Sequence, residues 1–325
     1  MLNTVHEGYV LKLYDGTLWL AKWNIHDNFK NIVALPWRTN GVAKFTTFHD
    51  KLHYAKSKYP YLIKVVEAYN KVLPVIPKNY VRKVYDPFSE AKRVVFSPLP
   101  HEKLSRELIL LLISEANIDL DDIGLVHSST TEPIIVSRGK LNAYKIYNAI
   151  RRLFFTTNMF NHLEPGSLFN VKSHDIYVRI SNHVLKSLYS RKYLNGVFNS
   201  SITYTIRLLE DEIYGFEDLK VKSFGRVTLL AKIVDDRKAI FYPSRYGIEV
   251  LSIAEGNSRA KFASEIIAFN DGFREAAWEG SEVLVQGVLE KVIDNIEGRE
   301  YYRVSVGFSK DLILPLQRKH IPLYA

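Results

Sequence analysis

Cysteine is absent from the 325 residues of this chain. That excludes thiol catalysis, disulfide scaffolds, zinc ribbons and iron–sulfur sites. Methionine and glutamine are scarce, with two of each; this matches the thermophile habit of avoiding labile side chains, but nineteen asparagines oppose it. No apolar run approaches the roughly 18 residues of a membrane span, and the opening MLNTVHEGYV lacks a basic-then-apolar signal pattern. A cytoplasmic protein with no membrane partner is therefore expected. Internal repeats and low-complexity tracts are absent as well.

What remains is an ordinary globular composition, 47% apolar and 24% charged, in a chain long enough for two or three domains. The net charge of +9 favours anionic partners, and its distribution is uneven. Residues 1–100 carry 15 basic and 7 acidic side chains, residues 101–210 carry 13 and 10, and residues 211–325 carry 16 and 18. The positive field belongs to the first two-thirds of the chain.

An α+β protein of three domains is expected. Residues 1–100 read as a basic β-meander with a helix. Gly8-Tyr9-Val10-Leu11-Lys12-Leu13 runs into an Asp15-Gly16 turn, and further strands are expected at 17–23, 32–37 and 42–48. Leu62, Val65, Val66, Tyr69 and Leu73 have helical spacing within residues 50–73, a stretch interrupted or bounded by Pro60 and Pro74, and the proline-containing residues 73–100 read as an extended connection with short elements. Residues 101–212 read as a small α/β core: helix 101–117, strands 123–126 and 133–136 around a Ser/Thr-rich turn, and a helix from 141 to about 155. A helix at 184–189 and a strand at 202–208 complete it. Residues 213–325 are strand-rich (227–234, 239–242, 248–251, 283–292 and 299–306), as expected for a small β-barrel of OB type.

Several pieces in this order resemble the archaeal predicted nucleotidyltransferases, a polymerase-β-like family. They are Glu7-Gly8-Tyr9-Val10, Val75-Ile76-Pro77-Lys78, Tyr85-Asp86-Pro87, Ile123-Gly124-Leu125, the stretch from Gly139-Lys140-Leu141-Asn142 to Ile146, Asn195-Gly196-Val197-Phe198, Val234-Asp235-Asp236 and Phe241-Tyr242-Pro243. The resemblance implies a Gly-Ser turn cradling nucleotide phosphates, then a strand whose alternate carboxylates share divalent metals. This chain has His127-Ser128 at the turn, Glu132 at the first carboxylate and Ile134 at the second. Isoleucine cannot ligate a metal, and losing glycine removes the freedom that lets a loop approach a phosphate. Ser128 and Glu132 are thus remnant positions, and no catalytic residue, metal or other cofactor is expected.

Other constellations are weaker. His49 and His53 have the spacing of zinc-binding helix histidines but no third ligand, and Asp119, Asp121 and Asp122 form an acidic turn. His127 beside Ser128, Ser129 and Thr130 has no orienting carboxylate. Cations interleaved with aromatics say more, because phosphate contacts and base stacking both draw on them. They occur as Tyr80-Val81-Arg82-Lys83, Arg151-Arg152 with Phe154, Tyr189-Ser190-Arg191-Lys192-Tyr193 and Tyr242-Pro243-Ser244-Arg245-Tyr246. Arg82, Lys83, Lys140, Arg151, Arg152, Arg191 and Lys192 are the expected nucleic-acid contacts, with Arg191 and Lys192 read as an exposed pair.

The expectation is a catalytically degenerate nucleotidyltransferase-like protein that binds nucleic acid, RNA over DNA, as structured RNA or within a ribonucleoprotein particle. Two alternatives stand beside it. One is an active, magnesium-dependent nucleotidyltransferase, and the other is a protein-interaction or dimerisation module whose C-terminal barrel pairs with another chain, a homo-oligomer among the options.

Overall fold

The Asp15-Gly16 pair closes the first hairpin: Gly16 adopts φ 86° and Leu13 N–H donates to Thr17 O at 3.0 Å. A computed structural model of the chain describes residues 5–27, 30–38, 45, 48–126, 132–163, 186, 188–210, 215–307 and 310–316. Among these residues the protein is mixed α+β, with several sheets and few helices. Its residues form two compact units, 1–220 and 221–325.

The first unit begins with β1 (Val10–Leu13), β2 (Leu18–Asp27), β3 (Asn31–Arg38), α1 (Phe48–Lys58), β4 (Ile63–Val66), β5 (Lys71–Pro77) and β6 (Val81–Tyr85). These strands make one sheet in the order β4-β5-β3-β2-β1-β6, over a core that includes Leu11, Trp19, Trp23, Val33 and Ile76. Residues 50–73 do not form the single helix that their spacing suggests. Pro60 cannot continue α1, and Asn70 in the left-handed region (φ 49°) turns the remaining stretch into the β4–β5 hairpin. Residues 73–100 are not merely extended. Besides most of β5 and β6 they contain α2 (Pro87–Phe96), capped by the Asp86 carboxylate accepting from Phe88 N–H at 2.9 Å. The strand expected at 42–48 lies mostly outside the described residues, and Phe48 opens α1.

The same unit continues with α3 (Lys103–Ala116), β7 (Ile123–Val126), β8 (Ile134–Ser137), α4 (Lys140–Thr156), β9 (Phe160–Asn161), β10 (Asn195–Phe198) and β11 (Ile202–Leu208). The second sheet has the order β7-β8-β11-β10-β9, with β8 and β11 parallel. Alternation along β11 buries Ile202, Tyr204 and Ile206 on one face, as its sequence pattern requires. The helix expected at 184–189 lies largely outside the described residues.

Buried charge ties the two sheets together. The fully buried Glu7 carboxylate accepts from Lys22 Nζ (3.2 Å) on β2, Arg207 Nη1 (3.0 Å) on β11 and the Trp23 backbone N–H (2.5 Å). Next to it, Gly8 at φ 91° lies so close to the second sheet that a Cβ would come within 2.9 Å of Val136 Cγ1.

The second unit contains β12 (Leu219–Asp235), β13 (Ser244–Glu255), β14 (Ala263–Ala268), β15 (Glu282–Asp294), β16 (Arg299–Val306) and β17 (Leu312–Pro315). Their order is β12-β13-β14-β16-β15-β17, β14 and β16 run parallel, and β12 also pairs with β15. Residues 239–242, expected as a strand, form a turn region whose apolar side chains are nevertheless buried. Gly287 within β15 faces β16 so closely that a Cβ would meet Ser305 O at 2.6 Å.

Candidate nucleic-acid interface

The strand β6 is an edge, paired only with β1, and it displays Arg82 and Lys83 to solvent. Register places Lys83 directly across from Lys12 on β1. Like charges opposite one another destabilise a sheet, yet among the described residues Lys12, Lys83 and Arg82 pair with no carboxylate. Exposed tyrosines surround them. Lys83 Nζ lies 4.7 Å from the Tyr85 ring centroid, and the Tyr61 and Tyr80 rings, 58% and 41% exposed, are 5.8 Å apart. Partial burial, with Tyr80 and Asp15 nearby, raises the Tyr61 phenol above its ordinary value. Tyr61 comes from the turn before β4, and the sheet brings it beside Tyr80. Its distance from Arg82 in the chain left no local signal of this.

A second cluster lies on α4. Lys140 opens the helix and Arg151 stands three turns later on the same face, about 16 Å away. The Arg151 guanidinium is 5.7 Å from both the Tyr147 and Tyr193 ring centroids, and Phe155 beside it is 74% exposed. Phe154, His162 and Tyr193 pack together here. Burial lowers the His162 pKa, while its Nδ1 sits 3.0 Å from Lys192 O.

Two expected contacts take other roles. Lys192 is completely buried, its ammonium 4.6 Å from the Tyr189 ring centroid, so Arg191 and Lys192 are not an exposed pair; only Arg191 reaches solvent. Arg152 is exposed but engaged, with Nη2 donating to the Glu115 carboxylate and carbonyl, both at 2.8 Å, which fastens α4 to α3. In the Tyr242–Tyr246 cluster both tyrosines are core, and Tyr246 OH donates to Phe273 O.

Of the two remnant catalytic positions only Glu132 is among the described residues. Ser128 lies outside the described residues, as do His127, Ser129 and Thr130. Glu132 is exposed in the bend before β8, and Ile134 occupies β8 between Val126 and Thr205. His49 and His53 stack on α1 with ring centroids 6.3 Å apart, and no third ligand joins them among the described residues. Asp121 and Asp122 are paired with Lys92 and Arg138.

No protein-family model matches the chain, and no solved structure matches it. A protein of Methanocaldococcus jannaschii, named only as uncharacterized, is 27% identical over 125 residues, 37% of this chain. The match spans 34% of that relative's length. No helix among the described residues is long and apolar enough to cross a membrane.

Proposed function

We propose that this chain binds nucleic acid, RNA in preference to DNA, on a nucleotidyltransferase-like scaffold that has lost its transfer chemistry. The observation that carries the binding is the Lys12–Lys83 pair across β1 and the edge strand β6, with Arg82 adjacent and no carboxylate partner among the described residues. A phosphate between the two ammonium groups turns their repulsion into attraction. The exposed Tyr61, Tyr80 and Tyr85 rings give unpaired bases surfaces to stack on. Loss of catalysis rests on Ile134, which replaces a metal-holding carboxylate with an apolar side chain.

The second unit fits an OB-type barrel. Its five-strand circuit, β12-β13-β14-β16-β15 and back to β12, has the parallel third-to-fifth pairing that such a Greek-key barrel needs.

Edge-strand lysines also deter sheet-to-sheet aggregation, and one experiment separates the two roles. In the full chain, Arg82→Ala with Lys83→Ala is expected to weaken binding to every RNA tested. It should also flatten the plot of log affinity against log salt by about 1.5 units, roughly 0.7–0.9 per lost contact. An unchanged slope in a folded, monomeric double variant would remove this strand from the interface. Magnesium-dependent transfer from a nucleoside triphosphate, abolished by Glu132→Ala, would overturn the non-catalytic reading.

A further inference from the structure

In the second unit three aromatic rings meet in a cluster that reaches the surface, with Phe262 exposed and Phe224 and Tyr302 half-buried. Phe224 comes from β12, Phe262 from the 3-10 turn Ser258–Phe262, and Tyr302 from β16. Tyr302 stands between the others, its ring centroid 5.8 Å from Phe224 and 6.3 Å from Phe262. Neighbouring apolar side chains behave ordinarily: Val221, Val227, Ala263 and Val304 are buried. The rings do not follow them, and Phe262 is 59% exposed. An aromatic ring left 59% exposed forgoes the burial such a side chain ordinarily gains, and cations gathered round it give the cluster the character of a binding face.

Cations rim the rings. The Arg259 guanidinium lies 4.9 Å from the Phe224 centroid, Lys222 Nζ 5.8 Å from the same ring, and Lys261 Nζ 4.9 Å from Phe262. All three are exposed, and none is ion-paired among the described residues. Acidic groups close by are already engaged, Glu300 with Lys291 and Asp311 with Arg226.

We propose that Phe224, Phe262 and Tyr302 form a stacking platform for unpaired bases of a single-stranded nucleic acid, with Lys222, Arg259 and Lys261 as its phosphate contacts. The inference rests on the nucleic-acid reading above and adds a second surface and a strand type to it. An apolar protein segment could lie on the rings, but it would leave three unpaired cations without counter-charge. A single strand supplies both groups the patch lacks, flat π faces and phosphates at regular spacing. A duplex keeps its base faces stacked internally and offers only phosphates.

The test uses the full chain and a labelled oligouridylate of about 12 nucleotides, within the usual footprint of such surfaces, alongside a duplex RNA. Phe262→Ala removes the most exposed ring and should weaken single-strand binding roughly tenfold at every salt concentration, with the salt slope and the duplex affinity unchanged. The triple change Lys222→Ala, Arg259→Ala and Lys261→Ala should flatten the single-strand salt slope by about two units. Wild-type binding that both variants retain in full overturns this inference and leaves the proposed function standing. Equal loss of single-strand and duplex binding in Phe262→Ala overturns the stacking role. Absence of any wild-type binding to single strand or duplex overturns the proposed function, and this platform with it. Self-association abolished by Phe262→Ala, in a protein that binds no single strand, would assign the patch to protein contact and overturn the inference.

Discussion

The two units display rings and cations against unequal electrostatic backgrounds, one strongly positive and one nearly neutral. Residues 1–220 carry 29 basic and 21 acidic side chains, whereas residues 221–325 carry 15 and 14. On net charge alone only the first unit would attract a polyanion. Yet the second unit keeps Lys222, Arg259 and Lys261 together around its surface ring cluster, while the acids Asp311 and Glu300 are paired with other cations, Arg226 and Lys291. A nearly neutral total thus conceals a locally positive face. Net charge governs long-range approach, but contact depends on which side chains lack a counter-ion at a given place.

The units also differ in how they bury charge, and this gives the largest expected effect. Glu7 accepts from two buried cations and a backbone N–H, and Glu290 in the second unit accepts from the buried Arg303 at 3.0 Å. Removing one partner of a buried pair costs about 3–5 kcal/mol. Glu7→Ala leaves both Lys22 and Arg207 buried without that carboxylate and should reach the top of that range or exceed it, whereas Glu290→Ala should fall within the range. Urea unfolding followed by tryptophan fluorescence reports mainly on the first unit, which holds Trp19, Trp23 and Trp37 of the four tryptophans. A Glu7→Ala transition within about 1 kcal/mol of wild type would end the contrast.

A smaller effect is expected at alkaline pH. Burial, reinforced by the Asp86 carboxylate, pushes the Tyr9 phenol up to about 12. Burial likewise raises Tyr246 in the second unit. Each phenol keeps its proton in the folded protein after the unfolded chain has lost it near pH 10. Their stabilisation is therefore complete below pH 10 and declines as pH rises, by up to about 1.4 kcal/mol per pH unit for each tyrosine. Tyr9→Phe should flatten this decline between pH 10 and 12 in the fluorescence-detected transition. A slope identical to wild type would show that Tyr9 does not contribute to it.

Adjacent arginines on α4 set the smallest contrast. Arg152 bonds to Glu115, while Arg151 lies between tyrosine rings. Arg152→Ala should cost about 0.2–1 kcal/mol in thermal or urea unfolding and leave RNA affinity nearly unchanged. Arg151→Ala should do the reverse, lowering affinity several-fold with little change in stability. Equal effects of the two on affinity would merge their roles.

Local sequence chemistry specified much of this architecture. The Asp15-Gly16 hairpin, the amphipathic α3 ending at Asn117 (φ 48°), α4 and the alternating β11 all follow from short-range pattern. The cap of α2 was equally present in Asp86-Pro87, although proline elsewhere in the segment obscured it. Residues 62–73 were ambiguous because a hairpin and a helix can share that apolar spacing until Asn70 forces the turn. The candidate surfaces were harder to read. Burial of Lys192 depends on tertiary packing, which its exposed-looking context Arg191-Lys192 did not encode. Phe224, Phe262 and Tyr302 belong to separate elements, and only strand pairing makes them neighbours. The Lys12–Lys83 opposition likewise exists only in the β1–β6 register.

The Glu7–Arg207 bond has a consequence for synthesis on the ribosome. Its partners are 200 residues apart, so at roughly 5–20 residues per second the arginine follows the glutamate by about 10–40 s. All six strands of the first sheet are made by Tyr85, long before the guanidinium that neutralises Glu7 exists. Until then the nascent sheet must keep that carboxylate hydrated or hold it with early partners such as Lys22 and the Trp23 backbone N–H. The carboxylate therefore gains its Arg207 partner only once β11 has been made, after most of the first unit has been translated.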